Sequence, residues 1–185
     1  MIRQTVIAYW LIPSESAHNF FQAIINDLAR RYDAPVFEPH VTIYVGADRA
    51  EAPEEALGNA ARLFKCTGLT PIGIDQSNEF IKTLFVRFAM SAELRRINDF
   101  IRDAANDSMP YELKPHLSLL YKNLAVASRR QLAASISVPL SEVTFDTIKA
   151  VRCISPTQSR VDVESWQTLV TNKLLAQPFL FGSHM

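Results

Sequence analysis

Residues 39–44 read PHVTIY and residues 115–121 read PHLSLLY. Each string runs proline, histidine, an apolar residue, a hydroxyl residue, an apolar residue, and together they hold two of the four histidines in the chain. A string written twice implies a unit built twice, and the flanks repeat as well. Residues 3–12 (RQTVIAYWLI) are β-branched and aromatic and predict a strand. Pro13 stops it. Ser14 is placed to cap a helix to about Tyr32, with Phe20, Phe21, Ile24, Ile25 and Leu28 at helical spacing. The linker DAPVFEP leads into the strand HVTIYVG. In the second half IKTLFVRFA predicts a strand and Ser91 a cap. Residues 92–106 then predict a helix with Leu94, Ile97, Phe100, Ile101 and Ala104 on its apolar face, and DSMPYELKP leads into HLSLLY. Val6 to His40 and Leu84 to His116 span nearly equal lengths of chain.

Beyond the repeated parts, helices are predicted over 53–64 and 127–138. Strands are predicted over 69–75, 143–154 and 160–170, with Trp166 in the last. The expected class is α+β. Two α/β lobes (halves of roughly 3–76 and 81–170) are related by a pseudo-twofold axis, with antiparallel sheets around a central cleft, in a single domain over 1–181. No Gly/Ser-rich linker separates the halves, so they share an interface. At 48% hydrophobic, the 185 residues are enough for one full core. The terminal GSHM has the character of an appended expression scar, so His184 is set aside. MIRQTVIAYWLIP lacks the basic cluster and small-residue cleavage site of a signal peptide and reads as the first strand. No apolar run approaches the roughly 18 residues that span a bilayer, and a cytoplasmic monomer without membrane contact is expected. Cys66 and Cys153 are too few for a disulfide framework and read as reduced core thiols.

A strand alternates its side chains, so His40, Thr42 and Tyr44 share one face and His116, Ser118 and Leu120 share another. Tyr121 reaches the histidine face only if its strand ends or bends. Twofold symmetry sets two imidazoles and two hydroxyls around one gap, which suits a small tetrahedral anion. Hydroxyls and imidazolium donate to phosphoryl oxygens. With an unperturbed pKa of about 6.5, one ring can be neutral while its twin is charged. The neutral ring takes a proton from water and the charged ring gives one to a leaving oxygen, each worth roughly 10²–10⁴-fold. This scheme calls for no metal, no cofactor and no covalent intermediate. A strained five-membered cyclic phosphate on a ribose is the easiest such target.

The chain here resembles the 2H phosphoesterase superfamily, whose paired H-x-(T/S)-x signatures match HVT at 40–42 and HLS at 116–118. PHLSLLY looks like the cyclic phosphodiesterase-like branch in particular. The resemblance implies hydrolysis of nucleoside 2′,3′-cyclic phosphates and ADP-ribose 1″,2″-cyclic phosphate. It implies His40 and His116 as the catalytic pair, Thr42 and Ser118 as phosphate ligands, and Tyr121 in the site wall. In that branch cyclic nucleotides open to 2′-phosphates.

One histidine ahead of an apolar strand is ordinarily structural; it is the matched pair that points to chemistry. Two strand histidines fall short of the three ligands of catalytic zinc. His18 reads as solvated surface. Among basic residues near the motifs (Lys82, Arg87, Lys114, Lys122, Arg152, Arg160), strand parity favours Lys114 as a phosphate partner. Tyr44, Tyr121, Phe85 and Trp166 are candidates to stack on a base. Two rivals stand beside the main reading. One is an enzyme of the same superfamily acting on RNA 3′ ends, as a cyclic phosphodiesterase or 2′–5′ RNA ligase; it would need a basic track for a polynucleotide, and a net charge of zero weighs mildly against it. The other is a nucleotide-binding module without turnover.

Overall fold

A computed structural model of the chain describes residues 3–48, 52–105 and 111–176. The terminal GSHM lies outside them. In chain order the elements are β1 (Gln4–Pro13), α1 (Glu15–Tyr32), β2 (Val41–Ala47), α2 (Ala52–Leu63), β3 (Thr67–Leu69) and β4 (Pro71–Gln76). A single 3-10 turn (Phe80–Lys82) follows. Then come β5 (Leu84–Phe88), α3 (Ala92–Ala104), β6 (His116–Leu120), α4 (Val126–Ser135), β7 (Val143–Ser155), α5 (Arg160–Glu164) and β8 (Gln167–Lys173). The architecture is α+β, as expected. The lobes, however, are joined into one antiparallel sheet of order β3-β7-β1-β2-β6-β5-β4, with β8 also on β7.

The two motif strands meet at the centre, where Val41 lies opposite Leu117. Each is flanked by the strand that opens its own half: β1 beside β2, and β5 beside β6. The outer strands do not sort by sequence half. β4, from the first half, pairs with β5, and β7, from the second, pairs with β1. The helices cross over too: α1 packs on β6 and α3 on β2. Each half thus supplies parts of both lobes in space. Predicted strand 69–75 divides at Thr70 because β3 and β4 serve opposite ends of the sheet.

Strand alternation places the core. On β1, Ile7, Tyr9 and Leu11 enter the helix-covered core, while Val6, Ala8, Trp10 and Ile12 face the other side. Both sides are buried, which is why β1 reads as one continuous apolar run. Ser91 caps α3 as predicted, accepting from Leu94 N–H at 3.0 Å. Ser14 occupies the N-cap of α1, yet its side chain makes no capping bond. The predicted strand over 160–170 is corrected: Ser159 accepts from Asp162 N–H and opens α5, and Arg3 pairs with the buried Asp162 carboxylate. That short helix leaves Trp166 in the turn before β8, with its backbone N–H on the Val163 carbonyl.

Candidate functional site

The sheet face opposite the main core carries a cleft of about 700 Å³, lined by both motif histidines, Thr42, Ser118, Tyr121 and Trp166. Each histidine is held the same way. His40 Nδ1 donates to the Glu38 carbonyl at 2.6 Å, and His116 Nδ1 donates to the Lys114 carbonyl at 2.7 Å. A carbonyl can only accept, so Nδ1 carries the proton in both rings and Nε2 is the remaining basic nitrogen. The preceding prolines keep the chain extended, which lets the carbonyl two residues back reach the ring. Lys149 anchors this approach on one side, with Nζ 2.6 Å from both Glu38 carboxylate oxygens.

Both strands carry a β-bulge at the same place in the motif. Tyr9 lies opposite Tyr44 and Trp10 opposite Thr42, so Ile43 is the extra residue on β2. Leu84 lies opposite Leu120 and Phe85 opposite Ser118, so Leu119 is the extra residue on β6. Ile43 and Tyr44 both turn into the core, as do Leu119 and Leu120. The next residues, Val45 and Tyr121, are thereby thrown onto the cleft. The bulge thus supplies the bend that Tyr121 needs. It also overturns the expectation for Tyr44, which is fully buried against Tyr9 and Tyr111 instead of lining the site. Asn98 of α3 donates to the Ile43 carbonyl at 2.6 Å and satisfies the bulged backbone.

The symmetric partners of the bulge set the walls. Trp10 and Phe85 occupy equivalent positions beside Thr42 and Ser118. Trp10 stacks on His40, with ring centres 3.7 Å apart and planes 12° apart. Phe85 meets His116 edge-on at 5.4 Å. Phe85 therefore backs a catalytic candidate without itself lining the cleft. Trp10 is a site residue that sequence reasoning missed, although its placement ahead of His40 mirrors that of Phe85 ahead of His116. Trp166 packs edge-on against Trp10, His40 and Tyr121. Phe37 stacks on Tyr121 at 3.7 Å. Among the described residues, the indole N–H groups of Trp10 and Trp166 are buried without an acceptor.

Hydroxyl placement differs between the lobes. Thr42 lines the cleft, and its carbonyl accepts the Tyr111 hydroxyl at 3.0 Å. Ser118 is buried, and its hydroxyl donates to the Ile81 carbonyl at 2.7 Å. Lys114 does not reach the cleft. It is exposed and paired with Glu112 at 2.6 Å, because β6 begins only at His116 and strand parity does not extend back past Pro115. Lys82 is the lysine that lines the cleft. Arg87, Arg152 and Arg160 are engaged by Asp75, Asp48 and Asp33. Among the described residues no three His, Cys, Asp or Glu side chains gather as a metal site, and no helix is long and apolar enough to cross a membrane.

Burial lowers the proton affinity of both imidazoles. For His40 it outweighs the raising effect of the Glu38 carbonyl, and with smaller contributions from His116 and Lys149 the pKa falls to about 4. His116 is lowered by burial and by Lys82, while the Lys114 carbonyl and Glu79 oppose this. The consequence for stability has a definite sign. The unfolded chain takes up a proton on His40 near 6.5 and the folded chain only near 4, so stability is full above 6.5 and declines as pH falls towards about 4. The decline is worth about 3 kcal/mol at its limit. Urea titrations across that window should show a steeper loss in the wild type than in His40→Gln, where buried His116 still contributes; equal pH dependence in both proteins would refute the assignment.

Residues 5–174 match the family of cyclic phosphodiesterase-like proteins. The cyclic phosphodiesterase of Arabidopsis thaliana is 23% identical over 177 residues, covering 94% of this chain and 97% of that protein. Among solved structures, LigT of E. coli in apo form aligns with a TM-score of 0.55 at 14% identity, covering 95% of this chain and 99% of its own. LigT complexed with 3′-AMP aligns at 0.53 and 13% identity, over 92% and 98%. TT0787 of Thermus thermophilus aligns at 0.56 and 15% identity, over 93% and 99%. These likenesses at low identity show a shared fold, and the match over nearly the whole chain shows descent: the chain belongs to the family of cyclic phosphodiesterase-like proteins.

Proposed function

We propose that the protein hydrolyses a small nucleotide-derived cyclic phosphate, a nucleoside 2′,3′-cyclic phosphate or ADP-ribose 1″,2″-cyclic phosphate, to a phosphomonoester by metal-independent acid–base catalysis. The observation that carries this reading is the matched tautomer of two histidines in one cleft: both Nδ1 protons are committed to backbone carbonyls, leaving two Nε2 atoms for proton transfer. His40, buried under Trp10 and neutral at ordinary pH, is assigned as the base that deprotonates water. His116 lies nearer solvent, and both its carbonyl partner and Glu79 favour its charged form, so it is assigned as the acid that protonates the leaving oxygen. A bound phosphate anion favours imidazolium and makes this division workable. Thr42 donates to a phosphoryl oxygen directly. Ser118 does so by rotating its hydroxyl away from Ile81.

The aromatic walls suit a nucleoside. Tyr121 and Trp166 offer ring faces and edges to a base, each good contact being worth about 1–3 kcal/mol. LigT, which shares the fold, has been obtained with 3′-AMP, with ATP and with NADP+. The deciding assay is incubation with 2′,3′-cyclic AMP and with ADP-ribose 1″,2″-cyclic phosphate in the presence of EDTA, with product isomers separated by chromatography. The expected result is 2′-AMP from the first, at a rate that EDTA leaves unchanged. Binding of 2′-AMP without turnover of either compound would instead indicate a nucleotide-binding module. Turnover confined to RNA carrying a terminal cyclic phosphate would indicate the RNA-end reading.

A further inference from the structure

The paired motif is symmetric, but the charge around it is not. The part of β1 that lines the cleft offers Val6, Ala8 and Trp10, all uncharged. The corresponding stretch ahead of β5 leaves the sheet and forms the 3-10 turn, which brings Lys82 over the cleft. Lys82 Nζ stands 5.1 Å from the centre of the Phe85 ring, and that same ring is 5.4 Å from the centre of His116. One aromatic ring therefore supports both the ammonium and the imidazole.

The turn is fixed in place. Buried Thr83 donates to the Lys122 carbonyl at 2.5 Å and accepts from Lys122 N–H at 3.1 Å. Lys82 N–H closes the turn on the Glu79 carbonyl at 3.0 Å. Among the cleft-lining side chains of the described residues, Lys82 is the permanent cation, and it has no carboxylate within ion-pair distance. Glu79 lines the same rim but is solvent-exposed, so water screens its charge more strongly.

We propose that Lys82 is a third phosphate-binding group of the site, acting from one lobe only, and that its ammonium contacts a non-bridging phosphoryl oxygen beside His116. This rests on the function proposed above. A compact ammonium on a flexible stem can follow the phosphorus from cyclic to open geometry. It also makes the two halves of the cleft electrically unequal, so an asymmetric substrate sits with its anion towards the β5–β6 lobe and its uncharged bulk over Val6, Ala8 and Val45.

The test uses the full chain with Lys82→Met, which keeps the stem on Phe85, Lys82→Arg, which keeps the charge, and Lys173→Met as a control away from the cleft. Affinity for 2′-AMP is read by calorimetry. Lys82→Met should weaken it about tenfold, Lys82→Arg should recover most of that, and Lys173→Met should match wild type. With 2′,3′-cyclic AMP, Lys82→Met should raise KM and lower kcat. Its alkaline limb should move to higher pH, since removing a positive charge lets His116 hold its proton longer. The other charged or titratable groups around His116 are Glu79 on the turn, His40 across the cleft, Arg87 opposite on β5 and Lys114 before β6, and none of them is altered. Affinity within twofold of wild type in Lys82→Met would overturn the proposal, as would a weakened affinity with an unmoved alkaline limb. If wild type shows no turnover at all, the function proposed above fails, and the 2′-AMP affinities still decide the role of Lys82.

Discussion

Replacing either motif histidine with alanine should lower kcat on 2′,3′-cyclic AMP by about 10²-fold or more while the protein keeps its fold. The expectation follows from the geometry. Each ring has one nitrogen bound to backbone and one left for chemistry. The double variant should be little worse than the poorer single one, because acid and base act on one transition state as a unit. Thr42→Ala and Ser118→Ala should cost less and should raise KM as well. Far-ultraviolet dichroism and thermal melts establish that each variant is folded before kinetics are compared. Either histidine variant with near-wild-type turnover would sink the two-histidine mechanism.

Trp10→Ala should be the most damaging single change outside the motif. Trp10 is 4% exposed, lies flat against His40, and belongs to the apolar cluster of Val6, Ala8, Ile12, Val151 and Cys153. Truncating it should cost about 3–5 kcal/mol in urea unfolding. It should also admit water to His40, whose pKa of about 4 has burial as its leading cause. The His40 ring protons, followed by NMR, should then titrate nearer 6.5, and the acidic limb of the rate profile should rise with them. Trp10→Phe should keep most of the stacking and move both quantities less. His40 still titrating near 4 in Trp10→Ala would show that another part of the fold excludes water from the ring.

The catalytic candidates were legible because repetition is local information. Two strings of the same residue types, each with a strand and a capped helix at matched distance ahead of it, pointed to His40, Thr42, His116 and Ser118. Strict alternation put each histidine on one face with its hydroxyl, and this holds because the bulges fall just after the hydroxyl residue. Beyond that residue alternation fails. Tyr44, on the His40 face by strict alternation, lies in the core, while Val45, of opposite parity, lines the cleft. A bulge is a property of two strands in register, and neither strand alone announces it. Lys114 departs from its expected place for a related reason: β6 begins at His116, and strand parity does not extend across Pro115.

The sequence by itself determined that two equivalent units exist, that each presents an imidazole and a hydroxyl on one strand face, and that the helices are amphipathic. All of these depend on spacings within one element. The tertiary structure alone decided that the halves exchange their outer strands and helices, that Trp10 covers His40, and that Lys82 lines the cleft where Lys114 does not. It also decided that the two imidazoles are depressed in proton affinity by different surroundings. Those features depend on which distant residues come into contact, and burial, stacking and charge act through space instead of along the chain.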